Sequence, residues 1–84
     1  MYSSQLRAFH AVATHGGFTK AAEKLGLTQP ALSDHVRKLE QRFDVQLFHR
    51  HTRKVFPTDL GLKLMEITRR QFDLEDEAVE LLKE

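Results

Sequence analysis

The stretch Thr19–Ser33, TKAAEKLGLTQPALS, contains the start and stop signals of two helices in close succession. Thr19 is a typical N-cap for the first helix, and Gly26 is a typical residue to end it. Thr28 can cap the second helix, and Pro30 falls in its first turn, where no intrahelical N–H bond is lost. The stretch therefore predicts two helices joined by a tight turn.

Three residues in this stretch have the spacing of a close helix crossing. Ala22 is small enough to let the two helices approach each other. Gly26, in the turn, can adopt a positive φ, and Leu32 supplies an apolar anchor on the second helix. Together they predict a helix-turn-helix, whose second helix enters the major groove of DNA. A corner of two helices in a protein that does not bind DNA is the alternative.

A further helix is expected before this pair, from Ser4 to His15. Ser3 or Ser4 can cap it, and the pair Gly16-Gly17 stops it. The helix after the turn is expected to cover residues 28–43. The predicted buried stripes are Leu6, Phe9, Val12 and Ala13 on the N-terminal helix, and Leu32, Val36, Leu39 and Phe43 on the helix after the turn.

Residues 45–57, VQLFHRHTRKVFP, change from a helical to a strand-forming pattern. Strand formers at both ends flank a basic middle, which predicts a short two-stranded hairpin with its tip at residues 51–54 and its end at Pro57. A basic hairpin directly after a helix-turn-helix makes a winged helix, whose wing reaches the DNA backbone or the minor groove. The predicted fold is thus mainly α, with a winged helix-turn-helix domain of three helices and a β-hairpin over residues 1–57.

Residues 58–84 predict a long C-terminal helix for dimerisation, capped by Thr58 and with Asp59 in its first turn. Its apolar residues form a heptad seam in which the polar Gln71 can fix the register. A two-fold dimer would present two recognition helices to an inverted-repeat site. The seam is Leu60, Leu64, Ile67, Gln71, Leu74, Ala78 and Leu81; a second stripe of Met65, Phe72, Val79 and Leu82 can pack back on the winged domain.

The charge of the chain is divided between its two parts, although the net charge is only +1. Residues 1–57 carry nine basic against four acidic side chains, whereas residues 58–84 carry four basic against eight acidic ones. The basic part can face phosphate while the acidic tail points away. Two ordinary solvated surfaces would give the same division.

Polar side chains on the third helix project away from its buried stripe. Near its N-terminal end, Gln29 can pair with adenine through two hydrogen bonds, and Ser33 can donate or accept. The N–H groups of helix two near Thr19-Lys20 can bind phosphate. On the wing, Arg53 near the tip is the candidate for the minor groove. The projecting residues of the third helix are Pro30, Asp34, Arg37, Lys38 and Gln41.

An acidic residue, Asp34, stands where a polyanion is expected to approach, and three interpretations follow. It can accept from the amino group of a cytosine. It can pair with Arg37 or Lys38 one turn further along the helix. It can also penalise wrong sequences through repulsion. We favour a mixed role, in which Asp34 orients Arg37 or Lys38 and adds some preference for cytosine.

The residues that carry this argument resemble the N-terminal domain of LysR-type transcriptional regulators over essentially the whole chain. In that family a winged helix-turn-helix is followed by a long linker helix that dimerises. At position 34 many members carry a basic or amide residue, and Asp34 departs from that pattern, which bears on the target sequence. The resemblance rests on Leu6–Phe9, Gly17–Leu25, Thr28–Ser33, Leu39-Glu40, Leu47–Arg50, and Thr58 with Gly61.

The resemblance implies contacts for particular residues once the matching positions are carried over. Combined with the chemistry above, it gives two sets of expected DNA contacts. Base contacts are expected from Gln29, Pro30, Ser33, Asp34 and Arg53. Backbone contacts are expected from Thr19, Lys20, Thr28, Arg37, Lys38, Arg50 and Lys54.

The resemblance also implies a larger effector-binding domain that senses a small-molecule inducer and supports a tetramer in the full-length protein. The present chain ends within the helical pattern, so we expect it to be a fragment that lacks this domain. No cofactor is expected in the winged domain itself.

Several other classes of protein are disfavoured. The chain has no cysteine, which excludes a disulfide scaffold and a cysteine-ligated zinc finger and fits a reducing cytoplasm. No apolar run approaches membrane-spanning length, and no signal peptide is visible. The five histidines lack a metal-ligand spacing, and no nucleophile with its base is visible, so no enzyme is expected. The remaining alternative is a winged-helix protein-interaction module with a coiled-coil tail.

Overall fold

The computed structural model of the chain describes residues 1–50 and 54–84. Three helices form the N-terminal part, a short hairpin follows, and a long helix completes the chain. This is the expected mainly α winged helix-turn-helix with a C-terminal helix. The elements are α1 (Ser3–His15), α2 (Phe18–Leu25), α3 (Gln29–Phe43), β1 (Phe48–His49), β2 (Phe56–Pro57) and α4 (Asp59–Leu82).

The predicted turn between α2 and α3 is present. Gly26 ends α2 in the left-handed conformation with φ 67°, which glycine adopts without steric cost. Thr28 caps α3, since its hydroxyl accepts from the backbone N–H of Ala31 at 3.2 Å. The N-terminal helix ends as predicted too, with Gly16 at φ 74°.

Two predicted N-caps were wrong. α2 begins at Phe18 after Gly17, so Thr19 lies inside the first turn and its side chain makes no capping bond. α1 begins at Ser3 with Tyr2 in the cap position, again without a side-chain cap. Relative to the predicted caps, α1 starts one residue earlier and α2 two residues earlier, and in each an aromatic residue at the start, Tyr2 or Phe18, packs against the core.

The core lies between the first three helices and β1. The predicted stripes supply five of its eleven residues: Phe9, Val12, Leu32 and Val36 are at most 1% exposed, and Leu39 is 4% exposed. Phe43, predicted to be buried, is 54% exposed. It is the last residue of α3, and its ring centre lies 5.5 Å from that of Tyr2 at the start of α1, at the edge of the domain. The buried hydrophobic cluster is Ala8, Phe9, Ala11, Val12, Ala21, Ala22, Leu32, Val36, Leu39, Leu47 and Phe48.

The wing begins as a two-stranded antiparallel ladder in which Phe48 pairs with Pro57 and His49 with Phe56. Its strands are two residues each, shorter than the strand-forming pattern predicted. Leu47 packs into the core before the ladder starts, which uses part of the apolar run for packing. Of the predicted tip, residues 51–54, the first three lie outside the described residues.

The start of α4 is fixed to the segment before the wing. The Thr58 hydroxyl accepts from the N–H of Gly61 at 3.1 Å and donates to the carbonyl of Gln46 at 2.7 Å, which confirms it as the cap. The Thr58 N–H donates to the carbonyl of Leu47 at 2.9 Å. A Cβ on Gly61 would lie 2.3 Å from the same carbonyl oxygen, so only glycine allows α4 to approach this closely.

Further along, α4 docks on α1 through polar and aromatic contacts. His10 Nδ1 lies 2.7 Å from the hydroxyl of Thr68, which is fully buried. The His10 ring lies 5.2 Å from that of Phe72, and the Arg7 guanidinium lies 4.4 Å from the Phe72 ring centre while pairing with Glu75. Beyond this joint α4 is exposed on every side. No helix in the described ranges is long and apolar enough to cross a membrane.

Candidate nucleic-acid interface

The N-terminal half of α3 and the start of the wing border one surface recess. All four predicted base-contact residues on α3, Gln29, Pro30, Ser33 and Asp34, share it with Arg50 of the wing. The structure therefore brings together residues from both elements that the sequence assigned to DNA. The full lining is Gln29, Pro30, Ser33, Asp34, Arg37 and Arg50.

Asp34 pairs with both cations that follow it on α3. Its carboxylate accepts from the Arg37 guanidinium and lies 3.0 Å from Nζ of Lys38. The hydrogen bonds from Lys38 and then from Arg37 hold the pKa of Asp34 below its ordinary value. The pairing interpretation of Asp34 thus describes this structure, and one carboxylate offsets part of the charge of the two cations.

Arg50 is held by a carboxylate that the sequence analysis assigned no role. The Glu40 oxygens accept from the Arg50 guanidinium at 2.8 and 3.2 Å, and one of them also accepts from the Leu47 N–H at 2.7 Å. Glu40 directly follows Leu39, which belongs to the predicted buried stripe. Charged residues are rarely buried unless they are paired, so an acidic residue next to this stripe is the sequence signal for a buried ion pair.

The guanidinium of Arg50 also lies against two aromatic rings. Its carbon is 5.6 Å from the ring centre of Phe18 on α2 and 5.8 Å from that of Phe48 on β1. These are cation–π distances, and they orient the group in addition to Glu40. The Arg50 side chain is nevertheless 42% exposed, so part of it faces the recess.

The other predicted backbone contacts are spread over the surface around this face. Thr19 and Lys20 are exposed in the first turn of α2, and Thr28 is exposed at the cap of α3. Lys54 is exposed at the return of the wing. Arg53, predicted for the minor groove, lies outside the described residues.

The predicted seam of α4 faces outward along most of its length. Ile67, Leu74 and Leu81 are 54, 64 and 68% exposed, and Gln71 and Ala78 between them are exposed as well. Only the first turns differ: Leu64 is half-buried against the core, and Leu60 is 44% exposed beside it. From the second stripe, Met65 and Phe72 pack on the domain, whereas Val79 and Leu82 do not.

An entirely apolar groove continues from this seam onto the winged domain. Leu60 and Leu64 of α4 form one wall, and residues from α1, the end of α3 and the segment after it form the rest. Phe43, exposed beyond the core, lines this groove. The remaining lining residues are Leu6, Leu39, Val45 and Leu47.

No group of three or more His, Asp or Glu side chains in the described parts of the chain is arranged to hold a metal ion.

A sequence model described as "Bacterial regulatory helix-turn-helix protein, lysR family" matches residues 3–62. The chain belongs to that family. It is 45% identical over 65 residues to the RuBisCO operon transcriptional regulator of Allochromatium vinosum, covering 77% of this chain and 22% of that protein. It is 48% identical over 65 residues to the HTH-type transcriptional regulator XapR of Escherichia coli K12, with the same coverage of each. This lysR-family chain thus spans about a fifth of the length of these relatives.

Solved structures of similar sequence share the fold. The crystal structure of the BenM_DBD/catB site 1 DNA complex is similar with a TM-score of 0.85 and 35% identity, covering 94% of this chain and 88% of that one. Oxidized OxyR of Corynebacterium glutamicum is similar with a TM-score of 0.87 and 36% identity, covering 100% of this chain and 27% of that one. The first of these lysR-like domains was determined on DNA.

Proposed function

We propose that this chain binds double-stranded DNA sequence-specifically as a dimer and is the DNA-binding part of a bacterial LysR-type transcriptional regulator. The observation that carries the proposal is the shared recess, in which the N-terminal face of α3 and Arg50 of the wing lie side by side. A family member of the same fold crystallised on DNA supports it. In this arrangement α3 occupies the major groove, and residues 50–54 reach the minor groove or the backbone.

The base contacts that we propose come from the exposed N-terminal turns of α3. The Gln29 amide matches the edge of adenine, the Ser33 hydroxyl donates or accepts, and the Pro30 ring offers an apolar surface to a thymine methyl group. Asp34 accepts from cytosine while it orients its two cations. Arg53 enters the minor groove, as the resemblance to the family implies.

The backbone contacts that we propose surround this reading face. They come from basic side chains and hydroxyls, which bind phosphate without reading sequence. Arg50, held by Glu40 and two aromatic rings, is the most rigid of them. The set is Thr19, Lys20, Thr28, Arg37, Lys38, Arg50 and Lys54.

We assign dimerisation to the seam of α4. Leucine and isoleucine side chains exposed in a row along a single helix form the kind of apolar patch that marks an interaction surface. The seam runs into the apolar groove of the winged domain, so one partner can cover both. A symmetric pair presents two copies of α3 to an inverted-repeat promoter site.

The parts of the protein beyond these residues are also proposals. The curated relatives are about five times as long as the matched segment, which is room for a domain that binds a small-molecule inducer. A tetramer of the full-length protein and a cytoplasmic location follow from the same family resemblance. Within the present residues we propose binding without catalysis.

Fluorescence anisotropy with labelled duplexes tests the proposed function. The chain is titrated into a randomised duplex pool and into an inverted-repeat duplex selected from that pool, each at two salt concentrations. We expect the selected duplex to bind far more tightly, with log K falling by roughly 0.9 per unit of log salt for each phosphate contacted. Replacing Gln29 with Ala should weaken binding to the selected duplex and leave dimerisation intact.

Two other outcomes have distinct meanings. Binding that depends on salt but not on sequence would overturn the specific reading by α3. No binding at either salt concentration would overturn DNA binding and favour the protein-interaction module with a coiled-coil tail.

A further inference from the structure

Glu40 lies where the C-terminal half of α3 meets the segment that leads into the wing, and only 9% of the residue is exposed. One carboxylate oxygen accepts from the Leu47 N–H at 2.7 Å, and both accept from Arg50, at 2.8 and 3.2 Å. A buried carboxylate whose oxygens are both engaged by charge-assisted bonds holds its partner in one orientation. Glu40 therefore fixes the backbone of Leu47, just before β1, and the side chain of Arg50, just after it.

Arg50 is confined from a second direction as well. Phe18 of α2 and Phe48 of β1 lie 5.6 and 5.8 Å from the guanidinium carbon. Glu40 accepts from two of its five N–H groups, which leaves others to face the recess. The guanidinium thus stands at a fixed place beside Gln29 and the rest of the reading face of α3.

We propose that Glu40 is a positioning residue for DNA recognition. Its carboxylate does not touch DNA but fixes the Arg50 guanidinium against the N-terminal face of α3. Arg50 then contacts its phosphate while Gln29 and Ser33 contact their bases, with α3 in a single position along the DNA. This inference rests on the proposed DNA binding, and it gives Glu40 a role in the sequence specificity of that binding.

The substitution Glu40→Gln separates positioning from simple charge. Glutamine keeps an acceptor for the Leu47 N–H but loses the charge that orients Arg50. If Glu40 acted only as a negative charge near DNA, its removal would tighten binding to every duplex. As a positioning residue, its loss weakens binding to the selected duplex by about tenfold and does not weaken binding to the random pool.

The matched control is Glu84→Gln, which removes the same charge from the exposed far end of α4 and should bind both duplexes like the parent. Circular dichroism and thermal unfolding verify that each variant is folded. A folded Glu40→Gln protein that binds the selected duplex as tightly as the parent, or more tightly, overturns the inference. A parent that does not distinguish the selected duplex from the pool overturns the proposed function instead.

Arg50→Lys provides a second test should Glu40→Gln fail to fold. It preserves the charge at an exposed side chain, but an ammonium cannot make the forked contact with Glu40. We expect the same loss of discrimination. When Glu40→Gln does fold, combining the two substitutions should bring no further loss, because the two residues act as one unit. An Arg50→Lys protein that discriminates like the parent overturns the inference.

Discussion

The two carboxylates of α3 differ in how firmly they hold their cations. Asp34 is at the surface, and its pairs with Arg37 and Lys38 are of the exposed kind that contributes little to stability. DNA phosphate can therefore compete for these two cations. Glu40 is buried and engaged by Arg50 and a backbone N–H, so we expect this pair to be retained when DNA binds. α3 thus carries one carboxylate whose two ion pairs are exposed and one whose ion pair is anchored at the core.

Replacing Asp34 with Asn should release Arg37 and Lys38 for phosphate. We expect the random duplex pool to bind roughly twofold to fivefold more tightly, the range set by an exposed ion pair. The salt dependence should steepen by roughly 0.9 for each phosphate gained, and the preference for cytosine should be lost. Anisotropy titrations at several salt concentrations measure all three effects.

Asp44→Asn is the control for this substitution. It removes the same charge at the end of the same helix, and asparagine tolerates the left-handed φ of 54° found there. Equal gains in pool affinity for the two variants would show that overall charge, rather than release of the paired cations, is responsible.

At the scale of the elements, one peptide group joins three segments. The Leu47 N–H donates to Glu40 of α3, and its carbonyl accepts from the N–H of Thr58 at the start of α4. Gly61 lies so close to that carbonyl that no side chain fits between them. The orientation of α4 relative to α3 is therefore set largely at this point.

Gly61→Ala should strain this junction. The added Cβ would stand 2.3 Å from the Leu47 oxygen, and a backbone atom cannot turn away as a side chain does. We expect the free energy of unfolding to fall by about 1–3 kcal/mol, as is usual for overpacking. Chemical denaturation measures it. Gly17→Ala, at an extended φ of 177° with open space around it, meets no clash and should cost less, about 0.5–1 kcal/mol, because alanine is a poorer N-cap than glycine.

The joint between α1 and α4 should make stability depend on pH. Burial lowers the pKa of His10, the Asp73 carboxylate opposes this, and Arg7 and His15 add to the lowering. The unfolded chain then binds a proton at a higher pH than the folded one. The stability that neutral His10 contributes to the folded state is complete above about pH 6.5 and is lost as the pH falls below that value.

Denaturation midpoints between pH 5 and 8 measure this effect, with His10→Gln as the comparison. The substitution removes the titrating ring while leaving an amide that can still bond to Thr68. Its stability should fall less steeply than that of the parent on acidification. Identical slopes for the two proteins would assign the pH dependence to other groups.

The helix ends that depend on neighbouring residues could be predicted from the sequence. Gly16 and Gly26 end their helices, and Thr28 and Thr58 cap theirs, because each acts within one turn of the chain. Thr19 failed as a cap because the packing of the preceding Phe18 decided where α2 begins.

Contacts between distant residues could not be predicted in the same way. The bond between His10 and Thr68 joins residues 58 positions apart, and no local pattern indicates it. The role of Glu40 depends on where Arg50 comes to lie after the chain has turned. The candidate DNA-reading face of α3 could be predicted from the sequence, because all of its residues lie on one helix. The contacts that the wing makes beside this face could not be predicted, because they depend on the tertiary fold.

For the whole molecule, the exposed half of α4 is the feature that most favours the proposed dimer. Leu74 is 64% exposed in the isolated chain, and Leu81 is 68% exposed one heptad further along. Burying such side chains symmetrically doubles each contribution, because both copies gain it. In the proposed dimer this burial would hold the two winged domains as a pair.

Leu74→Gln should weaken the dimer without disturbing the fold. We expect the dissociation constant to rise by about tenfold or more, since two leucines lose their apolar contacts at once. Sedimentation equilibrium measures this constant, and the selected inverted-repeat duplex should also bind more weakly.

Leu62→Gln is the corresponding control, with similar exposure but a position outside the seam. It should dimerise like the parent. Equal weakening by both substitutions would mean that the heptad seam is not the dimer interface.

α4 is fixed to the winged domain at two places. Beside the wing, Gly61 meets the Leu47 carbonyl, and further along Thr68 and Phe72 meet His10 of α1. Gly61 and Thr68 are roughly 10 Å apart along the helix, at about 1.5 Å per residue. A turn of the helix about either place is therefore opposed by the other, and the exposed part of α4 beyond Phe72 keeps the direction that the winged domain gives it.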